Sequence, residues 1–200
     1  MALFPSQAAT GIHGWKNSSG AAGLTRGWLL GISLVGGVLG AILLLLTPST
    51  IFARLVPWLV LFATTMFAWG SFGPKRADGG ARLRTGGAAA AQFCIAVYGG
   101  YFGGGIGFLM LAALTAAGLA IRNAGATKNL LAGAMNFAAV TIFIFSPQVH
   151  WLQMGIACIG ALIGGLAGAH MLNRVNEKLL RIVITAIGVA LTIGLFIRAQ

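Results

Sequence analysis

The sequence predicts an all-α polytopic membrane protein, and three observations carry that expectation. Hydrophobic residues make up 58% of the 200-residue chain and charged residues only 8%, where an ordinary soluble domain has about 25% charged. Mean hydropathy is +0.92. The apolar residues gather into long stretches of about 20, the length a helix needs to cross a bilayer. Too few charges remain to solvate an exterior, so the exterior faces lipid.

A segment in lipid must satisfy its own backbone hydrogen bonds, so each long stretch is a helix. Short alternating segments of the membrane β-barrel kind are not seen. Five stretches qualify: 27–46, 50–70, 125–146, 149–171 and 178–198. A sixth, 87–118, is longer and broken by glycine, which gives about six membrane segments. Thr47-Pro48-Ser49-Thr50 ends the first helix and caps the second, and Ser146-Pro147 divides a later pair. One stretch reads as an aqueous loop: residues 73–87, carrying Lys75, Arg76, Arg82 and Arg84. The expected organisation is therefore 1–72, a basic cytoplasmic loop at 73–87, and 88–200.

The net charge of +11 sets thirteen Lys and Arg against two acids, Asp78 and Glu177. The bases stand singly or in small groups beside apolar runs, as membrane-flanking residues do. A nucleic-acid binder would concentrate them on one polar face, so nucleic acid is not an expected partner. Cys94 and Cys158 lie in apolar stretches and form neither a disulfide framework nor a metal cluster. No Ser/His/Asp, Cys/His or paired-carboxylate pattern suits catalysis, and no cofactor or metal is expected. The first fifteen residues lack the basic and apolar regions of a cleaved signal peptide.

Residues 31–41, GISLVGGVLGA, resemble 155–165, GIACIGALIGG, at an offset of 124, and Arg54-Leu55 falls on Lys178-Leu179 in the same register. This reads as an internal repeat. At that offset the counterpart of 87–118 would precede residue 1, and 1–22 would be a weakly apolar counterpart of 125–146. The expectation is a duplicated protein lacking the front of its first half.

The segment 87–118 holds glycines at 99, 100, 103, 104, 105 and 107. Each costs a helix interior about 1 kcal/mol relative to alanine. Irregular backbone at membrane depth persists where it is buried in protein or lines a cavity, and the helix ends it creates suit ions. A nucleotide-binding glycine loop is not expected, because no βαβ context surrounds the run. If the segment crosses once, the bases divide seven to six across the membrane. If it doubles back, Lys16, Arg26, the four loop bases, Arg122, Lys128, Arg174, Lys178 and Arg181 share the inside, against Arg54 and Arg198 outside. The positive-inside rule favours the re-entrant path, and that path makes the two repeats inverted. A single kinked helix with glycines for close packing is the competing reading.

The runs YGGYFGGGIGFLMLAALTAAG (98–118), RNAGATKNLLAGAMNFAAVTIF (122–143) and GALIGGLAGAHMLNRVNEKLLR (160–181) resemble the second half of the sulfite exporter TauE/SafE family of membrane permeases. Residues 2–15 resemble the end of the second helix of the first repeat. The resemblance implies two related halves and transport of small anions, sulfur-containing ones such as sulfite or sulfoacetate, across a bacterial inner membrane.

Candidate site residues are polar groups where they are costly. Thr127, Lys128 and Asn129 are expected to start the helix after the broken segment, where a lysine beside a helix N-terminus is electropositive. Lysine snorkelling to headgroups is the alternative. Asn136 shares a face with Asn129 two turns on, as a substrate contact or a helix-to-helix tie. Tyr98, Gly103, Gly104 and Gly105 would present a hydroxyl and free amides at the break. By the repeat, Gln7 would line the opposite wall. The leading expectation is a permease for a small anionic solute, the runner-up a non-transporting scaffold or inactive paralogue. Homo-oligomer formation is left open.

Overall fold

A computed structural model describes residues 15–72, 84–145, 151–172 and 177–198. They form seven α-helices: α1 (Arg26–Leu46), α2 (Ser49–Phe72), α3 (Thr85–Tyr101), α4 (Ile106–Ala116), α5 (Ile121–Phe143), α6 (Trp151–Leu172) and α7 (Glu177–Arg198). Among the described residues there is no strand, only an isolated bridge between Ala21 and Leu24. Arg26–Leu46, Ser49–Phe72 and Arg181–Arg198 are long and apolar enough to cross a membrane, and Ile106–Ala116 and Trp151–Ala161 are shorter apolar helices. Trp28, Trp58, Trp69 and Trp151 are all exposed, as expected of side chains facing lipid rather than water. The chain is a membrane protein.

Local chemistry sets most boundaries. Thr25 caps α1 by accepting the Trp28 N–H at 3.3 Å. A tight turn precedes it, with Ala22 and Gly23 at φ 49° and 82°. Two side chains pin that turn: Thr85 Oγ1 donates to the Ala22 carbonyl at 2.7 Å, and Thr127 Oγ1 engages Ser19. α3 ends where the Tyr98 carbonyl accepts both Phe102 N–H and Gly103 N–H. Gly103 and Gly105 then take left-handed φ of 77° and 74°, which glycine adopts without the Cβ penalty. α4 ends in a Schellman motif: Gly118 at φ 95°, its N–H to Thr115 and the Leu119 N–H to Leu114.

Contact pairs give the helix directions. Ser33 meets Gln92, Gly36 meets Ala96 and Gly40 meets Gly100, so α1 and α3 run parallel. α5 joins them in the same direction, with Thr127 beside Ser19 and Met135 against Gly37 and Gly99. α2 runs oppositely, its Phe52 on Tyr101 and its Phe62 on Tyr98. α4 follows the direction of α2, Gly105 against Ala63 and Phe108 against Phe67. The chain from Thr85 to Ala116 therefore doubles back as a helical hairpin, about 25 Å up and 16 Å down at 1.5 Å per residue. Its tip lies beside the interiors of α1 and α2. α7 is antiparallel to α2, through Trp58–Phe196, Thr64–Gly188 and the Arg181 guanidinium on the Ser71 carbonyl.

Lipid supplies no hydrophobic drive between helices, so close backbone approach carries this packing. A Cβ on Gly36 would stand 2.6 Å from the Ala96 Cβ, and one on Gly40 or Gly100 would enter the facing backbone. Met110, Leu114, Leu131 and Met135 fill the space among α1, α3, α4 and α5.

Two expected boundaries move. Thr85–Gly87, expected in the aqueous loop, open α3. α5 begins at Ile121, so Thr127, Lys128 and Asn129 occupy its second and third turns rather than its start. The reason is local: the Schellman turn at Gly118 completes the reversal early, and IRNAGA holds no proline to delay the next helix. The core of the basic loop, 73–83, and Ser146-Pro147 lie outside the described residues.

Candidate anion site

The hairpin tip gathers most of the candidates. Gly103, Gly104 and Gly105 form the break itself, and Tyr98 sits one turn before it. The half-buried Tyr98 ring stacks edge-on to Phe62 at 5.5 Å, and its hydroxyl points at the Leu59 carbonyl at 3.5 Å. A Cβ on Gly104 would press on the Phe102 ring, and one on Gly105 would stand 3.0 Å from the Ala63 Cβ. The tip is thus tightly framed by its own aromatic residue and by α2.

α4 begins at this tip with Gly105 as its N-cap, a residue with no side chain to cap the first amides. The first turn of any helix leaves N–H groups without intrahelical partners and carries roughly half a positive charge. The Lys128 ammonium lies beside that turn: a Cβ on Gly107 would be 3.7 Å from Lys128 Nζ. The half-buried lysine therefore stands at a helix N-terminus, but that of α4 rather than its own. Lysine and amide ends have the same sign, and an anion between them would relieve their repulsion. Gly107 leaves the approach unshielded.

The other candidates separate from this point. Thr127, 1% exposed, turns elsewhere and holds the Ser19 backbone, accepting its N–H at 3.0 Å and donating to its carbonyl at 3.2 Å. Asn129 is half-buried on α5. Asn136 Nδ2 donates to the Ala132 carbonyl one turn below it, at 3.1 Å. Gln7 lies outside the described residues.

A polar pair that pattern reading passed over lies deeper in the hairpin. Gln92, 2% exposed, donates through Nε2 to Ser33 Oγ at 2.9 Å, and Ser33 donates to the Leu29 carbonyl. The Gln92 Oε1 is buried with no hydrogen-bond partner. The only signal in the sequence was one glutamine inside the apolar run AAAAQFCIAV. A cavity of about 350 Å³ opens beside α1 and α3, lined by Leu43, Phe93, Cys94, Val97, Tyr101 and Tyr98, which it shares with the tip. Its lining carries no cation, so it is not the place for a small anion. No group of three or more His, Cys, Asp or Glu that could hold a metal occurs among the described residues.

The profile of the family described as sulfite exporter TauE/SafE matches residues 1–195. A probable membrane transporter protein of Haemophilus influenzae is 28% identical over 152 residues, covering 74% of this chain and 58% of that protein. The probable membrane transporter protein YfcA of Escherichia coli K12 is 25% identical over 167 residues, covering 82% and 61%. The probable membrane transporter protein ORF9 of a Sinorhizobium species is 26% identical over 173 residues, covering 82% and 63%. The chain spans about three fifths of the length of these relatives. No solved structure matches it.

Proposed function

Because this chain belongs to the sulfite exporter TauE/SafE family of membrane transporters, we propose that it is a multi-pass carrier of small anions in the bacterial inner membrane. The observation that carries the reading is Lys128 Nζ beside the uncapped first turn of α4, at a glycine break inside a helical membrane protein. Sulfite and sulfoacetate fit the site's chemistry, since each offers oxygens bearing negative charge to amides and an ammonium. Tyr98 and Asn129 are proposed to complete the wall, with Gly103–Gly105 giving a ligand access to backbone.

In this reading the hairpin re-enters the membrane, and α1–α2 and α6–α7 are inverted copies. The packing of α2 on α7 supports the inversion. At the sequence offset of 124, Gly188 is the counterpart of position 64, and it is Thr64 that touches Gly188. The Ser71–Arg181 and Trp58–Phe196 contacts fall on either side of that point. A residue meeting its own counterpart, with contacts spreading symmetrically, is how two antiparallel copies pack about a two-fold axis.

The test is uptake of radiolabelled sulfite, thiosulfate and sulfoacetate by proteoliposomes containing the chain or its Lys128→Met variant. Uptake of at least one anion is expected, reduced about ten- to a hundredfold by the substitution, as loss of a charge-assisted contact implies. Equal uptake by the two proteins would remove Lys128 from the site. No uptake of any anion by inserted, folded protein would favour a non-transporting scaffold.

A further inference from the structure

Two kinds of interface surround the hairpin. On one side, α3 meets α1 backbone to backbone at Gly36, Gly37, Gly40 and Gly100, and the buried Gln92–Ser33 bond adds a polar tie. Such an interface has little room to slide, because any relative shift drives main chain into main chain. On the other side, α2 covers the tip with one face. Leu59, Phe62, Ala63 and Phe67, at helical spacing, meet Tyr98, Gly105 and Phe108. The contacts there are edge-on ring pairs, one 3.5 Å hydroxyl contact and the close approach of Gly105 to Ala63, and parting them breaks no strong hydrogen bond.

α2 also contains Pro57, buried inside the helix. Proline has no N–H, so the Ala53 carbonyl loses its helical donor and the ring crowds it, which loosens the helix there. All of the covering residues lie on the C-terminal side of Pro57. Phe52, on the N-terminal side, meets Tyr101 edge-on at 5.8 Å, beyond the tip-covering face.

We propose that residues 58–72 of α2 are a lid over the anion site, swinging at Pro57 against a fixed unit of α1, α3 and α5. This rests on the carrier reading for its purpose. Opening lifts Phe67 from Phe108 and Ala63 from Gly105, exposing the first turn of α4. α7 travels with the lid, since Thr64 and Ser71 hold it through Gly188 and Arg181.

The experiment is pulsed spin-label distance measurement on the full chain in lipid nanodiscs, with Cys94 and Cys158 replaced by serine. Labels at the exposed positions Phe72 and Asn123 span lid and fixed unit, and labels at Trp28 and Asn123 lie within the fixed unit. The expected result is two distances for Phe72–Asn123, with populations that shift on adding sulfite, and one unchanging distance for Trp28–Asn123. Pro57→Ala, which favours a continuous helix, should collapse the lid pair to one distance. A single Phe72–Asn123 distance with and without sulfite would overturn the lid, as would two distances that survive Pro57→Ala. Two proline-dependent distances with no response to sulfite would support the lid and count against the anion reading, which the uptake assay scores separately.

Discussion

Thr127 and Lys128 are neighbours in sequence and do different things, because successive residues on a helix point about 100° apart. Thr127 ties the chain before α1 to α5 through both hydrogen-bonding groups of Ser19, while Lys128 faces the start of α4. Thr127→Val keeps the shape but removes the partner of a part-buried N–H and carbonyl of Ser19. We expect it to lower stability by about 1–3 kcal/mol, read by thermal unfolding in detergent, with anion affinity nearly unchanged once folded. Gln92→Leu should behave oppositely. It removes an orphaned buried acceptor along with one hydrogen bond, so stability should change by less than about 1 kcal/mol in the same melt. The charged candidate was legible in the sequence because a lysine inside an apolar run is conspicuous. Ser33 and Gln92 were not, because neutral polar residues perturb neither charge nor periodicity.

At the scale of the element, the glycine run marked the break, but not which glycines make it. Gly99, Gly100 and Gly107 are helical, while Gly103 and Gly105 take positive φ. The distinction is tertiary: Gly100 is needed because the Gly37 backbone lies against it, whereas Gly107 meets only the Lys128 side chain at ordinary contact distance. Gly100→Ala should therefore cost about 1–3 kcal/mol as an overpacked contact, while Gly107→Ala should leave the melting temperature near that of the parent. A gain in both, measured by thermal unfolding, would show that helix propensity rather than packing governs these positions. The start of α5 carries no capping signal in the sequence, since its N-cap is Ala120, without a side-chain hydrogen bond.

For the whole molecule, hydropathy marks the helices, and the charge count favours a hairpin over a single crossing. α3 and α4 do run in opposite directions. What sequence could not supply is the neighbour relation that turns a lysine on α5 and a glycine on α4 into one place, since the two are 21 positions apart and belong to different helices. The carrier reading puts an anion there, between Lys128 and the first turn of α4. Isothermal titration of sulfite into the chain in nanodiscs, beside Lys128→Met and Lys128→Arg, tests it most directly. Saturable binding is expected, weakened about ten- to a hundredfold by methionine and partly restored by arginine. Binding of equal strength in the parent and the methionine variant would contradict it.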